Sequence, residues 1–401
     1  MNKDLERSGE EGNGWERFAD TLRDANEWVR TLPSCSDPVV LAQGLRYIGR
    51  AAIAALHHEV ENVDPYFPKW FRCIDQVSNW GGPNVDNEYL SAAIDPKLEY
   101  HIHGDLTNSG GILLQTIRGI WHQPSGFSIL DDWSIDDFTL NSDGTIDLYL
   151  GGEGRTEGNW FPLHPDAERL WLRQYGTQWD VHRPGGFSIT RLTDGEQLTP
   201  GPPSPEDMIR RIERAADWMG AAVKHWPESL EKRRTSLATN SLPTPQVSSQ
   251  GASSIRYGLT LLDLAADQGL YIEFEPPEAD YWSLQLYDFP WWEALDARDS
   301  STSLNCDQIR VDDDGKVRLV VSESDPGIVN WLDSRTAPKA LLIYRCVWAT
   351  RVPETVSAVV DLCDLGQRLP AQYPRVSAEA RTELLRARRR AADRWINGTA
   401  L

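Results

Sequence analysis

Cysteine is scarce in this chain of 401 residues, and its spacing excludes several kinds of site. The five cysteines are widely separated, odd in number and contain no C-x-x-C pair. Disulfide frameworks and structural zinc sites need closely and regularly spaced cysteines, so neither is expected. The pattern is typical of reduced thiols, and it predicts a cytoplasmic protein.

Long hydrophobic runs are lacking as well. No window approaches the roughly 18 consecutive apolar residues that indicate a transmembrane helix. Residues 1–30 are polar and acidic, without the apolar core of a secretory signal. We therefore expect neither a membrane span nor a signal peptide.

Positive charge is in deficit, with 40 Lys and Arg residues against 60 Asp and Glu residues and a net charge of −20. Nucleic-acid phosphates would be repelled rather than neutralised, and an anionic membrane surface is disfavoured for the same reason. A nucleic acid and a membrane are both excluded as expected partners.

Three catalytic motifs are also missing: G-x-S-x-G, the Walker A loop, and G-x-G-x-x-G after a strand. Their absence argues against the usual serine hydrolases and against nucleotide-dependent chemistry. No cofactor is expected.

What the sequence does contain is a repeat at a spacing of 171 positions, in a chain rich in tryptophan (17 residues). The repeat joins turn residues, an alternating apolar face and an Asn-Trp pair. Asp143-Gly144 returns as Asp314-Gly315, Ile146, Leu148 and Leu150 as Val317, Leu319 and Val321, Asn159-Trp160 as Asn330-Trp331, and Leu170 and Leu172 as Leu341 and Ile343. The repeat predicts two related β modules.

Helices are predicted outside the repeats. Apolar spacing predicts one helix from Trp15 to Leu32 and a second from about Asp37 to His58. A third helix opens with Ser204 as N-cap and Pro205 at the first helical position. An Arg-rich helix from about residue 377 to 396 has few apolar positions, which predicts a surface or subunit-contact element and allows a homo-oligomer.

The predicted fold is mainly β with helical additions, divided into five segments. These are an N-terminal helical segment 1–88, a first β module 89–194, a linker helix and loop 195–256, a second β module 257–364, and a C-terminal helix 365–401. In the first module, Asp143-Gly144 lies between apolar runs at 134–140 and 145–150, which predicts a β-hairpin. In the second module, a strand is predicted at 308–311.

Four segments of the second module carry a family resemblance: Tyr281-Trp-Ser-Leu-Gln-Leu-Tyr-Asp288, the turn 312–316, the stretch 325–333 with its Asn-Trp pair, and Leu342-Ile-Tyr-Arg345. Together they resemble the bacterial family catalogued as domain of unknown function 1214, specifically over about 270–350 and more weakly over 89–192. The resemblance implies β-sandwich modules of the jelly-roll type with helical additions. It implies no activity and no catalytic residues.

The repeat sorts the candidate site residues. Positions present in both modules, Asn159 with Asn330 and Trp160 with Trp331, are expected to serve the fold: a buried indole beside an Asn that bonds loop backbone. Chemistry is expected where the two modules differ.

One difference is the stretch His101-Ile-His103-Gly-Asp105. On a strand, residues i and i+2 project to one face, so both imidazoles and Asp105 are candidate catalytic groups. With His164 as a third ligand they would form a metal site of the cupin type. The Gly spacing and the following Glu of such a site are absent, so two half-exposed strand histidines and no metal are favoured.

The other difference is Asp288-Phe-Pro-Trp-Trp-Glu293 with the aromatic residues before it. Asp288 and Glu293, with Tyr281, are candidates for acid–base catalysis, because a carboxyl desolvated by indole rings has a raised pKa. The predicted ligand-binding residues are Trp282, Tyr287, Trp291 and Trp292. The alternative is an aromatic core plug with solvated acids.

Two functions remain open. The favoured one is a cofactor-independent enzyme that dehydrates, hydrates or isomerises a small, largely apolar oxygenated molecule in an aromatic-lined pocket, with hydrolysis as a variant. The other is a non-catalytic protein that binds a carbohydrate or a hydrophobic ligand. An enzyme requires a concave site with a carboxyl of raised pKa, whereas a binding protein requires aromatic rings on an open face.

Overall fold

Four α-helices and four β-sheets make up the part of the chain that the computed structural model describes, namely residues 13–120, 126–155, 158–192, 199–247, 254–337 and 339–397. The helices are α1 (Gly14–Val29), α2 (Pro38–Leu56), α3 (Pro205–Arg233) and α4 (Ala378–Asn397). All four were predicted. Asp37 caps α2 by accepting a hydrogen bond from Val39 N at 2.8 Å, and Ser204 caps α3 by accepting one from Asp207 N at 3.1 Å.

Helices α1, α2 and α3 pack together around a shared apolar core that includes Tyr47, Ala51 and Ala54 of α2. By length and composition alone, the helical stretch Pro38–Glu61 is long and apolar enough to cross a bilayer. A helix in the core of a protein meets the same criteria, and this stretch buries its apolar face against α1 and α3.

The first module is a sandwich of two mainly antiparallel sheets. Its strands are β1 (Phe71–Ile74), β2 (Asn87–Ala93), β3 (Glu99–Asp105), β4 (Ile112–Gly119), β5 (Phe127–Ser134), β6 (Thr145–Leu150), β7 (Asn159–Phe161), β8 (Arg169–Tyr175) and β9 (Phe187–Leu192). One sheet has the order β1-β2-β8-β4-β5 and the other β7-β6-β3-β9. Their facing sides share a core that contains Ile102, Leu114 and Leu148.

The second module repeats this arrangement. Its strands are β10 (Ala238–Thr239), β11 (Gln246–Val247), β12 (Ile255–Leu262), β13 (Gln268–Phe274), β14 (Tyr281–Asp288), β15 (Ser303–Asn305), β16 (Val317–Ser322), β17 (Trp331–Asp333), β18 (Ala340–Val347) and β19 (Val356–Asp361). One sheet has the order β10-β12-β18-β14-β15, with β11 also paired to β12, and the other β17-β16-β13-β19. Ile272, Leu284 and Leu319 belong to the aliphatic core between these two sheets.

The strand pairing confirms the duplication at the level of single residues. Tyr149 pairs with Trp160 in the first module, and Val320 pairs with Trp331 in the second. The turns that precede β6 and β16 also have the same conformation, since Gly144 and Gly315 have φ angles of 82° and 80°. Each glycine N–H bonds the carbonyl three residues earlier, at 3.0 and 2.9 Å.

The Asn-Trp pair has the structural role that the repeat predicts. Asn159 accepts a hydrogen bond from Thr139 N and donates to the carbonyls of Thr139 and Asp147. Asn330 makes the same three bonds with Arg310 and Arg318. In both modules the asparagine therefore ties a loop to the neighbouring strand.

Several boundaries differ from the predictions. Residues 135–137 form a short 3-10 turn after β5, so the run 134–140 is not the first strand of a hairpin; β6 pairs with β3 and β7 instead. Residues 308–311 are not a strand. The short edge strands β1 and β10 join the sheets ahead of residues 89 and 257, where the two modules were predicted to begin; such strands carry too few residues to show an alternating pattern.

Candidate functional site

A cavity of about 690 Å³ lies where the helical layer, the segment 72–89 and the loop 294–299 of the second module meet. Its volume is in the range of small-molecule sites. The walls are polar and charged to a large extent: Gln43, Arg46, Arg50, Arg72, Asp75, Asn79, Asn84, Asn87, Glu88, Tyr89, Asp296, Arg298, Asp299 and Trp395 all line it. Apolar side chains complete the lining, among them Ile74, Val77, Val85 and Leu295, so the cavity suits a small ligand with both polar and apolar parts.

The segment 79–85 forms one wall because it is bonded to the second module. The side-chain amide of Asn79 donates to Ala294 O and accepts from Ala294 N, both at 2.9 Å. Pro83 O accepts from Tyr287 Oη at 2.9 Å and from Gln285 Nε2 at 3.1 Å. Gly82 lies against Trp292 with a φ of +68°, and a Cβ at this position would meet the indole ring at 2.5 Å.

Two arginines on α2, Arg46 and Arg50, reach from the cavity wall to a buried pair of carboxyls. Arg50 Nη1 lies 2.9 Å from a carboxyl oxygen of Glu293. Arg46 Nη2 lies 3.3 Å from Glu293 and 3.8 Å from Asp288. The arginines are four residues apart and so share one face of the helix.

Asp288 and Glu293 are fully buried. Burial, and then the charge of Glu293, raise the pKa of Asp288 well above its usual range. Burial also raises the pKa of Glu293, against the opposing effect of Arg50 and Arg46. Burial thus favours the neutral form of both carboxyls, and more strongly for Asp288, while the two guanidinium groups oppose this effect.

The predicted acids thus exist as a coupled pair, but neither lines the cavity. The arginines lie between these acids and any ligand in the cavity.

The position of α2 depends on Trp291. The ring of Trp291 lies under Gly44, where a Cβ would approach it to 2.3 Å, and its indole N–H donates to Val40 O at 3.0 Å. Trp291 is therefore a packing residue that brings Arg46 and Arg50 to Glu293.

Four carboxyls line the cavity, on Asp75, Asp296, Asp299 and Glu88, and none of them was predicted from the sequence; Glu88 is the one held between Arg72 and Gln174. Its oxygens accept hydrogen bonds from Arg72 at 2.8 and 2.9 Å and from Gln174 Nε2 at 2.7 Å. Burial raises the pKa of Glu88 although Arg72 and Gln174 oppose the shift. Nothing in the local sequence marks Glu88, whereas Arg46 and Arg50 were detectable as the only charges on an otherwise apolar helix.

Tyr281 lies at the centre of a second cluster of buried polar side chains, at the contact between the modules. Its hydroxyl donates to Asp86 at 2.6 Å and bonds the amide of Asn84. Asp86 also accepts from Trp179 Nε1 at 2.7 Å and from Asn305 Nδ2 at 2.8 Å. Burial raises the pKa of Tyr281 well above its usual value. This tyrosine is fully engaged within the protein.

The predicted ligand-binding aromatics are packed in cores and do not line the cavity. Trp282 lies between the sheets of the second module against Phe274. Tyr287 is buried with its hydroxyl bonded to Pro83 O. Trp292 packs edge-on against Trp226 at 4.7 Å. These aromatic residues match the alternative interpretation of the sequence, an aromatic core plug. That interpretation expected solvated acids, whereas Asp288 and Glu293 are buried.

The histidines converge on a different carboxylate from the one predicted. His101 Nε2 and His103 Nδ1 lie 2.7 and 3.0 Å from the same oxygen of Asp147. A hydrogen bond from Asn141, and then those from His103 and His101, lower the pKa of Asp147 to about 2. Asp105 instead caps its own turn, accepting from Thr107 N and Oγ1.

His164 does not complete a metal site with the two strand histidines. Its Nδ1 accepts a hydrogen bond from Asp166 N at 3.1 Å within a local turn. Across the described ranges, no group of three His, Cys, Asp or Glu side chains is arranged to hold a metal ion.

The fold and the cavity define a class: a two-module β-sandwich protein with a helical layer that closes a polar pocket. Residues 119–179 and 262–351 match the model of the family described as a protein of unknown function, DUF1214. The matched segments fall in both modules, and the family resemblance stated from the sequence is confirmed.

Two solved structures are similar. An uncharacterized protein from Burkholderia cenocepacia is 27% identical, with a TM-score of 0.81 over 87% of this chain and 97% of that one. A protein from Vibrio parahaemolyticus is 12% identical, with a TM-score of 0.46 over 85% of this chain and 100% of that one. No curated protein matches the chain.

Proposed function

We propose that the chain is an enzyme that performs acid–base chemistry on a small oxygenated molecule with an anionic oxygen. Glu88 transfers the proton, and Arg46 with Arg50 binds the oxyanion. The observation that carries the proposal is that a carboxyl of raised pKa and these arginines line the same cavity. The reaction class is removal of a proton next to a carbonyl or carboxylate, as in dehydration, hydration or isomerisation.

The charge around Arg46 supports an anionic substrate. Its side chain is half-exposed, and its ion-pair partner Glu293 is shared with Arg50. The raised pKa of Asp288 favours its neutral form, so the positive charge of the two guanidinium groups is opposed mainly by Glu293. An oxyanion that develops during proton removal would be stabilised by that charge.

The surroundings of Glu88 support its role in proton transfer. A carboxyl transfers protons best when its pKa lies near the working pH, and burial moves Glu88 in that direction. Arg72 and Gln174 fix both oxygens of the carboxyl. Asp288 and Glu293 then act as positioning residues for the arginines, and it is these arginines that favour an anionic substrate over the largely apolar one expected from the sequence.

The test begins with ligand discovery by thermal shift, using small hydroxy- and oxo-carboxylates as probes. Compounds that stabilise the protein are then incubated with it in heavy water, and exchange of the hydrogen next to the carboxyl is followed by proton NMR. Glu88→Gln is expected to slow exchange by about 10²- to 10⁴-fold. The matched control is Glu99→Gln, because Glu99 is also paired with an arginine, Arg155, but lies outside the cavity.

Binding is tested separately with Arg46→Gln, which is expected to weaken the probe about tenfold or more, since charge-assisted hydrogen bonds are worth about 1.5–3 kcal/mol. Arg118→Gln is its control, because Arg118 pairs with Asp166 away from the cavity. A probe that binds without exchange or conversion would favour the non-catalytic binding protein. Equal exchange rates in wild type and Glu88→Gln would remove Glu88 from the mechanism.

A further inference from the structure

Arg345 is a buried cation outside the cavity. It lies on β18, whose eight residues are all buried, and its own exposed fraction is 5%. Tyr257 of β12 and Ser283 of β14 stand directly opposite it on the two neighbouring strands. Opposite residues of antiparallel strands project to the same face, so these three side chains share the face that carries Tyr281 and Tyr287.

The guanidinium group is only partly satisfied by the protein. Nη2 donates to Gly82 O at 3.3 Å and to Tyr287 Oη at 3.2 Å. The guanidinium carbon lies 5.5 Å from the ring centre of Tyr257. Nη1 is buried without a hydrogen-bond partner. Among the residues that the structure describes, no carboxylate lies within 4.0 Å of Arg345, so its charge has no direct counter-charge.

The surrounding tyrosines do not supply the missing negative charge. Burial raises the pKa of Tyr89, Tyr281 and Tyr287, so all three are neutral at neutral pH. They offer ring faces and hydroxyl groups, which stabilise a cation much less than an ion does.

A second arginine increases the positive charge at this contact between the modules. Arg173 of β8 lies with its guanidinium carbon 5.8 Å from the ring centre of Tyr89. The charges of Arg345 and Arg173, one from each module, both oppose the rise that burial causes in the pKa of Tyr89. Arg173 donates to the amide oxygen of Gln115, and the amide nitrogen of Gln115 in turn donates to Asp132.

We propose that a small monovalent anion binds between the two modules, with Arg345 Nη1 as its principal donor. A buried charge without a partner is destabilising, and a bound counter-ion removes part of that cost. The chemical class is a halide or a carboxylate of formate size, because the site lies between two packed sheets. Arg345 does not line the cavity of the proposed active site, although its neighbour Tyr89 does.

The experiment measures unfolding of the full chain in urea at constant ionic strength, with gluconate replaced stepwise by chloride in one arm and by formate in another. Gluconate serves as the anion that is too large to enter. An anion that binds only the folded state multiplies the folded-to-unfolded ratio by one plus its concentration over Kd. Above Kd, a tenfold increase in chloride or formate should therefore raise that ratio about tenfold.

Arg345→Gln is expected to abolish this dependence. Arg318→Gln is the matched control, since Arg318 is similarly buried in the same module but is paired with Asp312 and Asp314. It should keep the dependence on anion whatever its own stability. If Arg345→Gln does not fold, bromide-soaked crystals of the wild type give the second measurement, an anomalous peak beside Nη1. Stability independent of both anions, or crystals without that peak, would overturn the proposal.

Discussion

Removal of the Asn330 side chain tests the duplicated scaffold most directly. Asn330 is fully buried and makes three hydrogen bonds, at 2.9 Å from Arg310 N and at 2.8 and 2.9 Å to the carbonyls of Arg310 and Arg318. At about 1 kcal/mol net for each bond, Asn330→Ala should lower the free energy of unfolding by about 3 kcal/mol. The backbone groups left behind are remote from water, so the loss should not be smaller than this.

Asn159→Ala removes the same three bonds from the first module, where the residue is 8% exposed. Water can replace part of what is lost, so we expect about 2 kcal/mol. The assay is urea unfolding, read as a shift of the midpoint at constant slope. Asn108→Ala, an exposed control, should stay within about 0.5 kcal/mol of wild type. A loss below about 1 kcal/mol for Asn330→Ala would refute the structural role of the repeated asparagine.

Three further outcomes are expected. Gly44→Ala should destabilise the protein, because the new Cβ would meet the indole ring of Trp291 at 2.3 Å. Gly49→Ala on the same helix meets no atom within 4 Å and should stabilise the protein by about 0.5–1 kcal/mol. Thermal unfolding that ranks the two variants the other way contradicts the packing of α2. Because burial raises the pKa of Asp288, stability should decrease as the pH rises from 3.8, the pKa of this carboxyl in the unfolded chain, through its pKa in the folded protein. Asp288→Asn should therefore flatten the decrease in Tm with rising pH. An unchanged pH profile of Tm would show that Asp288 is ionised in the folded protein. Asp147 should titrate with a midpoint of about 2 by carbon-13 NMR, and a midpoint at the ordinary 3.8 would separate it from its hydrogen-bond partners.

The candidate site was predicted only in part. Asp288 and Glu293 were located from the sequence, with the right reason for a raised pKa, namely desolvation. They were expected to contact the ligand, because indole rings beside acids are typical of a pocket wall. The structure instead uses Trp291 to position α2, and Arg46 and Arg50 then cover the acids.

Local patterns determined the modules, the four helices and the Asn-Trp ties, because caps, turns and alternating apolar residues act over a few positions along the chain. The tertiary structure alone decided which polar groups meet. Arg46 and Glu293 are far apart in sequence, as are Glu88 and Gln174, and their contacts depend on how helices and sheets dock. The short edge strands β1 and β10 were likewise set by the strands they pair with. The pKa values of the buried groups also depend on the tertiary structure, because burial and neighbouring charges shift a pKa only once distant segments have packed together.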